Sequence, residues 1–171
     1  GLVTGSKNKI LGTSNYLHTV IYYDQKYRMV QAVADNHLGG TDRVTIDMEW
    51  SGQVNKTQRD HTGAESVTVV NTYDYDDHGR LLNEWQQIDS QTNTMVASYR
   101  YNELGQVIEK NLHSTDGNSF LQSIDYRFDI RGALTSINNP NLNNDGTLND
   151  DSGDLFGAKF HYTNAHTING R

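Results

Sequence analysis

The sequence predicts an all-β protein made of tandem antiparallel β-hairpins that form a curved, twisted sheet. Three observations support this fold class. Apolar and polar residues alternate with a period of two along several segments, which is the pattern of a half-buried strand with one face in a core. Turn-forming Asp, Asn and Gly recur between those segments. A short motif also returns at steps of 26 and 27 residues, as in a repeat architecture.

Three clear copies of the motif lie in about residues 66–134 and read aromatic-x-aromatic-(Asp/Asn)-x-x-Gly-x-aliphatic. The Asp or Asn opens a turn by accepting backbone hydrogen bonds, and the Gly supplies the positive φ that ends it. The aromatic pair closes one strand, and the aliphatic residue starts the returning strand. The motif residues are Tyr73, Tyr75, Asp76, Gly79 and Arg80; then Tyr99, Tyr101, Asn102 and Gly105; then Tyr126, Phe128, Asp129 and Gly132.

Degenerate copies are assigned by spacing in about residues 15–65. Trp50 lies 25 residues before Tyr75 and is aligned with it, followed by a shorter turn. Tyr23 lies 27 residues before Trp50, and Tyr27 stands there in the position of the turn glycine. These copies predict further hairpins on the amino-terminal side of the clear repeats.

An Asn/Asp-rich insertion at 139–153 precedes a possible last repeat at 154–171, in which Tyr162 lies 34 residues after Phe128. The insertion is similar to the start of a Ca²⁺ loop, with oxygen ligands at alternate positions. Its first ligand would be an Asn and its twelfth position is Ser152 rather than a bidentate Glu, so we favour a polar loop and predict no metal. The residues of this Ca²⁺ candidate are Asn141, Asn143, Asp145 and Asn149.

Bulk composition excludes several classes of function. The formal net charge of −7 argues against a nucleic-acid partner, which requires a surplus of Lys and Arg. The absence of Cys excludes disulfides and thiolate metal sites. No apolar run approaches the roughly 18 residues of a membrane span, so no membrane insertion is expected. The seven His are scattered and no catalytic or cofactor motif is present, so neither an enzyme nor a cofactor is predicted.

The segment Tyr73-Asp74-Tyr75-Asp76 through Gly79-Arg80-Leu81 resembles the YD repeat of Rhs-type proteins. That family includes bacterial Rhs and wall-associated proteins, shell subunits of insecticidal toxin complexes and animal teneurins. Flanking segments such as 35–42 and 130–138 are similar to the version in long Bacteroidetes-type surface proteins. The resemblance covers essentially the whole chain. It implies one YD-repeat domain over 1–171, a shell-like fragment of a longer chain at the cell surface or outside the cell, with no catalytic residues.

Two functions remain open. The first is a non-catalytic module that binds carbohydrate, which the resemblance implies and which requires exposed aromatic rings beside polar groups. The second is a structural shell segment that encloses or presents a toxin or effector domain and has no ligand of its own. Aromatics used up in a cross-strand ladder would favour the second. Trp85 lies in a polar strand and is expected to be the more exposed tryptophan. The carbohydrate candidates are Trp85, Trp50, Tyr73 and Tyr99.

The expected partners follow from the hairpin array. A segment cut from a longer array leaves unpaired strand edges and one-sided apolar faces, both of which can associate with other chains. We therefore expect contact with the remainder of the longer chain, and self-association through sheet edges or faces.

Overall fold

A computed structural model describes residues 1–142 and 154–162, and this part of the chain is all-β, which confirms the predicted class of tandem antiparallel hairpins. Twelve strands form one open sheet in which each strand neighbours the next in sequence. The strands are β1 Gly5–Lys9, β2 Tyr16–Tyr23, β3 Met29–Asp35, β4 Thr41–Met48, β5 Val54–His61, β6 Val67–Tyr75, β7 Leu81–Ile88, β8 Thr94–Tyr101, β9 Val107–Ser114, β10 Gln122–Phe128, β11 Leu134–Ile137 and β12 Ala158–Lys159.

The chain divides into two compact units, Gly1–Val96 and Ala97–Arg171. Strands β1 to β7 belong to the first unit and β9 to β12 to the second, and the boundary falls within β8. Within residues 1–142 and 154–162, no helix has the length and apolar character needed to span a bilayer.

One five-residue turn recurs along the chain. In its clearest copy the N–H of Asp76 donates to the carbonyl of Arg80 at 3.0 Å, and the N–H of Gly79 donates back to the carbonyl of Asp76 at 2.9 Å. The fourth residue of every copy has a positive φ, as the motif predicts for the glycine. Turns with this pair of hydrogen bonds begin at Asp24, Asn36, Glu49, Asp76, Asn102 and Asp129.

Five of these turns join what we call an outgoing strand to the return strand that follows it. The outgoing strands are β2, β4, β6, β8 and β10, and the return strands are β3, β5, β7, β9 and β11. At four of the five turns the register shifts immediately before the last outgoing residue, which then opposes the first residue of the return strand. Such a bulge fits the extra turn residue into the ladder. The last residues are Tyr23, Met48, Tyr75 and Phe128.

The structure corrects the alignment of Trp50. Trp50 is the second residue of the turn that begins at Glu49, and it does not end a strand. Met48 takes the place of Tyr75, because it pairs with Val54 as Tyr75 pairs with Leu81. The turn at 49–53 therefore has the same length as the others rather than a shorter one.

Tyr27 occupies the glycine position of the first turn with a φ of 63°, where Gly79 has 77°. The alignment of Tyr27 with the turn glycines is thus confirmed. The turn at Asn36, which joins a return strand to the next outgoing strand, shows that the same local geometry also serves the opposite end of a hairpin.

The strands bury less than their alternation predicts. Among the described residues, Met95 and Ala97 are the only apolar side chains in the buried class. Strands β2 and β8 keep the expected alternation of exposure, whereas both faces of β7 are half-buried. The expectation of one buried face is therefore wrong for much of the array, because its twelve described strands lie side by side in one sheet instead of packing as two layers.

Candidate functional site

The four carbohydrate candidates do not form one site. Tyr73 and Trp85 lie in the same hairpin, β6–β7, but Tyr73 is opposite Glu84 while Trp85 is opposite Thr72. Neighbouring residues of a strand point to opposite faces, so Tyr73 and Trp85 lie on different faces of the sheet. Trp50 is in a turn, and Tyr99 is on β8 in the second unit.

The exposures of the two tryptophans are the reverse of the prediction. Trp85 is half-buried, and its Nε1 donates to Oδ2 of Asp74 at 3.1 Å. Trp50 is 80% exposed. The polar sequence around Trp85 suggested exposure, but those polar neighbours form cross-strand contacts of their own, as in the hydrogen bond from Asn83 to Asp74 at 3.3 Å.

Trp50 is nevertheless partly covered by the preceding hairpin. The ammonium of Lys26 lies 3.2 Å from the centroid of the Trp50 ring and donates to the Trp50 carbonyl at 2.7 Å. Arg28 also donates to the carbonyl of Glu49 at 3.1 Å. A shallow cavity of about 370 Å³ lies between these turns. Because Lys26 stacks on one face of the indole, only the other face remains accessible to a sugar ring.

An aromatic groove lies on the second unit. It has a volume of about 450 Å³ and crosses strands β8, β9, β10 and β11. Most of its side chains come from the aromatic pairs of the repeat and from the first residues of the return strands, which the regular register brings to one face. We call it the Tyr99 groove; it is lined by Tyr99, Gln106, Val107, Lys110, Tyr126, Phe128 and Leu134.

The polar groups of the Tyr99 groove differ in what they already contact. Gln106 uses both ends of its amide, accepting from Asn102 Nδ2 at 2.8 Å and donating to the carbonyl of Gly132 at 3.2 Å. The ammonium of Lys110 lies 5.4 Å from the centroid of the Tyr99 ring and has no carboxylate partner among the described residues. The groove therefore offers an apolar wall with one available cation.

The last tyrosine of an outgoing strand has a structural role. Tyr75 donates its hydroxyl hydrogen to the carbonyl of Val54 at 2.8 Å, which joins one hairpin to the hairpin before it. Burial raises the pKa of the Tyr75 hydroxyl. Tyr23 donates in the same way to Val3 at 2.7 Å, and Tyr162 to Leu134 at 2.9 Å. The hydroxyl groups of these three tyrosines are therefore used in contacts within the array.

Two His–Asp pairs flank the β3–β4 hairpin. His18 contacts Asp35 through its Nδ1 at 3.0 Å, and His61 contacts Asp42. The backbone N–H of His18 lowers the pKa of Asp35, and the side chain of His61 lowers the pKa of Asp42. No group of three or more His, Cys, Asp or Glu suited to a metal ion occurs in the part of the chain that the structure describes.

The Ca²⁺ candidate falls mostly outside the described residues, since Asn143, Asp145 and Asn149 lie there. Asn141 is exposed, and its N–H donates to Oδ1 of Asn139 at 2.9 Å, as in a turn.

The second unit contains buried polar residues that pattern reasoning missed. Asn138 is 2% exposed and has a φ of 48°. Its Oδ1 accepts from the N–H of Asp125 at 2.7 Å, and its Nδ2 donates to the carbonyl of Phe156 at 2.8 Å. The Asn138-Asn139-Pro140 sequence was the available signal, because Asn adopts a positive φ more readily than other non-glycine residues. These contacts join β10 to the segment after β11.

Comparisons with known proteins add no assignment. No protein-family model matches this sequence, and no curated protein matches it.

Proposed function

We propose that this chain is a non-catalytic structural segment of a YD-repeat array, which encloses or presents another part of a longer protein at the cell surface or outside the cell. The observation that carries the proposal is the use of the repeated residues. The motif Asp or Asn accepts turn hydrogen bonds, the motif Gly supplies the positive φ, and the last tyrosine binds the preceding hairpin. The residues that recur from repeat to repeat therefore have structural roles within the sheet.

The stability of such an array comes from neighbouring hairpins rather than from a central core. Only Met95 and Ala97 are buried apolar residues in the described part of the chain. Each hairpin is joined to the next by a ladder and by side chains that reach across, such as Arg28 to the carbonyl of Glu49 and Gln106 to that of Gly132. Nearest-neighbour construction of this kind is typical of repeat proteins that serve as walls or supports.

A glycan array tests the structural proposal. The folded chain is expected to bind no glycan, and variants Tyr99→Ala and Tyr126→Ala are expected to give the same blank profile. Reproducible binding of any glycan by the native chain, lost in Tyr99→Ala while circular dichroism shows an intact sheet, would overturn the proposal and favour the second candidate.

The second candidate is carbohydrate binding at the Tyr99 groove. The observation that favours it is the combination of Tyr99, Tyr126 and Phe128 with the ammonium of Lys110. Aromatic rings stack on the apolar face of a sugar, and an ammonium without an ion-pair partner suits a sugar carboxylate. Of the four candidate residues predicted from sequence, only Tyr99 belongs to this groove.

Titration with a uronic-acid oligosaccharide and its methyl-esterified form separates the roles of the groove residues. If the groove binds sugar, the acidic form should bind more tightly, and Lys110→Gln should abolish that difference without removing the weaker binding of the ester. Trp50→Ala serves as the control, because Trp50 lies outside the groove. Equal loss of binding in Trp50→Ala would place the sugar elsewhere.

A further inference from the structure

We propose that the two outer edges of this sheet are complementary, and that copies of the chain associate head to tail through them. The outer edge of β12 in one copy would pair antiparallel with the outer edge of β1 in the next. The inference rests on the proposed structural function, because it treats the chain as an array that accepts further hairpins.

Strand β1 has the character of a return strand. Inside the array, Tyr75 donates to the carbonyl of Val54, the first residue of return strand β5. At the edge, Tyr23 donates to the carbonyl of Val3, two residues before β1. Val3 thus takes the place of Val54. The preceding Gly1 agrees with this equivalence, since a glycine stands two residues before Val54 as well.

Strand β12 has the character of an outgoing strand. Tyr162 donates to the carbonyl of Leu134, the first residue of return strand β11, as Tyr75 does to Val54. Phe160 lies two residues before Tyr162, which repeats the aromatic spacing of the motif. Outgoing strands have even numbers and return strands odd numbers, so a β1 placed beside β12 continues the alternation of strand directions.

The repeat fixes the register of the proposed contact. In the β6–β7 pair, Tyr75 is opposite Leu81 and Thr72 is opposite Trp85. Tyr162 corresponds to Tyr75, and Val3, which takes the place of Val54 at the start of a return strand, corresponds to Leu81. Counting back three residues from Tyr162 and forward four from Val3, as in β6–β7, places Lys159 of one copy opposite Lys7 of the next.

The backbone hydrogen bonds of β1 and β12 agree with this register. The Ile21 N–H donates to Thr4 and the Ile10 N–H donates to Asn15, so the even-numbered residues of β1 direct their backbone groups to β2. Lys7 therefore directs its N–H and C=O outward. The Phe160 N–H donates to Thr135, which turns the backbone of Lys159 toward the outer edge of β12. The register thus places Lys7 opposite Lys159, two residues whose backbone N–H and C=O groups are directed outward. This matches the arrangement of the Thr72–Trp85 pair, from which the register was taken.

The charges at the contact make the native association weak. Lys7 and Lys159 would lie directly opposite each other, and like charges in that position destabilise a strand pair. The ammonium of Lys7 lies 4.1 Å from the ring centroid of Tyr16 on the neighbouring strand β2. Changing the sign of either charge should therefore strengthen the association, and changing both should restore the repulsion.

Sedimentation velocity on the full chain across a wide concentration range tests the inference. Lys7→Glu and Lys159→Glu are each expected to tighten association by about two- to ten-fold, the effect of replacing a repulsive cross-strand pair by an attractive one. The double variant should return to the native value. Lys7→Pro should abolish association, because it removes an outward N–H without touching the bonds to β2.

Lys56→Glu is the matched control, because it makes the same charge change on the exposed side chain of an interior strand. It should not tighten association. Species of increasing size are expected, since a head-to-tail contact does not close on itself unless the rotation forms a ring. A closed dimer that ignores the lysine substitutions, or monomers for both single variants at every concentration, would overturn the inference.

The two proposals fail separately in these experiments. A folded chain that binds a glycan but follows the Lys7 and Lys159 pattern would contradict the structural function and retain the edge contact. A folded chain that binds no glycan and stays monomeric in both variants would retain the structural function and contradict the edge contact. Amide exchange of the interior strands verifies the fold of each sample.

Discussion

The hydroxyl of Tyr75 is one atom whose contribution to the array can be measured directly. Its hydrogen bond to Val54 is 2.8 Å long and half-buried, so Tyr75→Phe should lower the free energy of unfolding by about 1 kcal/mol. Urea denaturation provides the value. Tyr22→Phe is the control, because Tyr22 is 50% exposed and makes no hydroxyl hydrogen bond among the described residues. Equal losses in the two variants would mean that the cross-hairpin bond contributes nothing specific.

Tyr27 offers a second residue-scale prediction. It holds the left-handed conformation that the other turns assign to glycine, and its side chain is 76% exposed. Tyr27→Gly should relieve backbone strain and raise the free energy of unfolding by about 0.5–1 kcal/mol, whereas Gly79→Ala should lower it by about 1 kcal/mol. Thermal unfolding of both variants checks the pair. A loss of stability in Tyr27→Gly would show that the ring contributes packing which exceeds the strain.

The limits of sequence reasoning are clearest at the tryptophans. The turn geometry could be predicted, because an Asp or Asn and a Gly three residues later act locally. The position of Trp50 could not be predicted, because an aromatic ring in the turn is as hydrophobic as one at the strand end. Trp50 was aligned with the strand ends by spacing alone, whereas Met48 occupies that position. The stacking of Lys26 on Trp50 joins residues 24 apart, and no local pattern encodes such a contact.

At the scale of the turn, a carboxylate and an amide perform the same task with different dependence on pH. Oδ1 of Asp76 accepts from the N–H of His78 and of Arg80, and Oδ1 of Asn102 accepts from Leu104 and Gln106. The hydrogen bond from the backbone N–H of Arg80 is the main cause that lowers the pKa of Asp76. The pKa values of Asp24 and Asp129 are lowered in the same way by the backbone N–H of the fifth residue of their turns.

The sign of the pH effect follows from these lowered pKa values. The ionised aspartates stabilise the folded turns. This stabilisation is complete above the unfolded-state pKa of about 4, and it is lost as the pH falls through the lower folded-state pKa. Amide exchange and ¹⁵N shifts should therefore show the Asp76 turn loosening below about pH 4 while the Asn102 turn does not change. Asp76→Asn should remove the dependence at its own turn. Simultaneous loosening of both turns would indicate global acid unfolding instead.

Elements differ in how far the sequence determines them. Strands β6, β8 and β10 were predictable because their alternation and terminal aromatic pairs are local signals. The turn at Asn36 follows the same rules, but it lacks an aromatic pair before it and was not recognised as a turn of the repeat type. The buried contact of Asn138 with Asp125 depends on a pairing between β10 and β11, so its burial could not be predicted from residue type.

For the whole molecule, the nearest-neighbour construction predicts that one complete repeat can be removed. Deletion of residues 49–75 joins Met48 to Asp76, so that β4 enters the Asp76 turn and meets β7 in the register that β6 uses now. Because each hairpin contacts mainly its neighbours, the shortened chain should fold into a ten-strand array. Its denaturant m-value should fall by roughly one sixth, in proportion to the two strands lost from the twelve that the described residues form.

A half-repeat deletion is the decisive control for this modularity. Removing residues 49–61 takes away one turn and β5 only, so outgoing strand β4 would be followed by outgoing strand β6. The alternation of outgoing and return strands would fail, and a strand that pairs in the wrong register exposes its wrong face. This variant should aggregate or lose its β-sheet circular dichroism, whereas the complete-repeat deletion keeps both solubility and spectrum. If both deletions unfold the chain alike, the array behaves as one indivisible domain, and construction from interchangeable hairpins would be refuted.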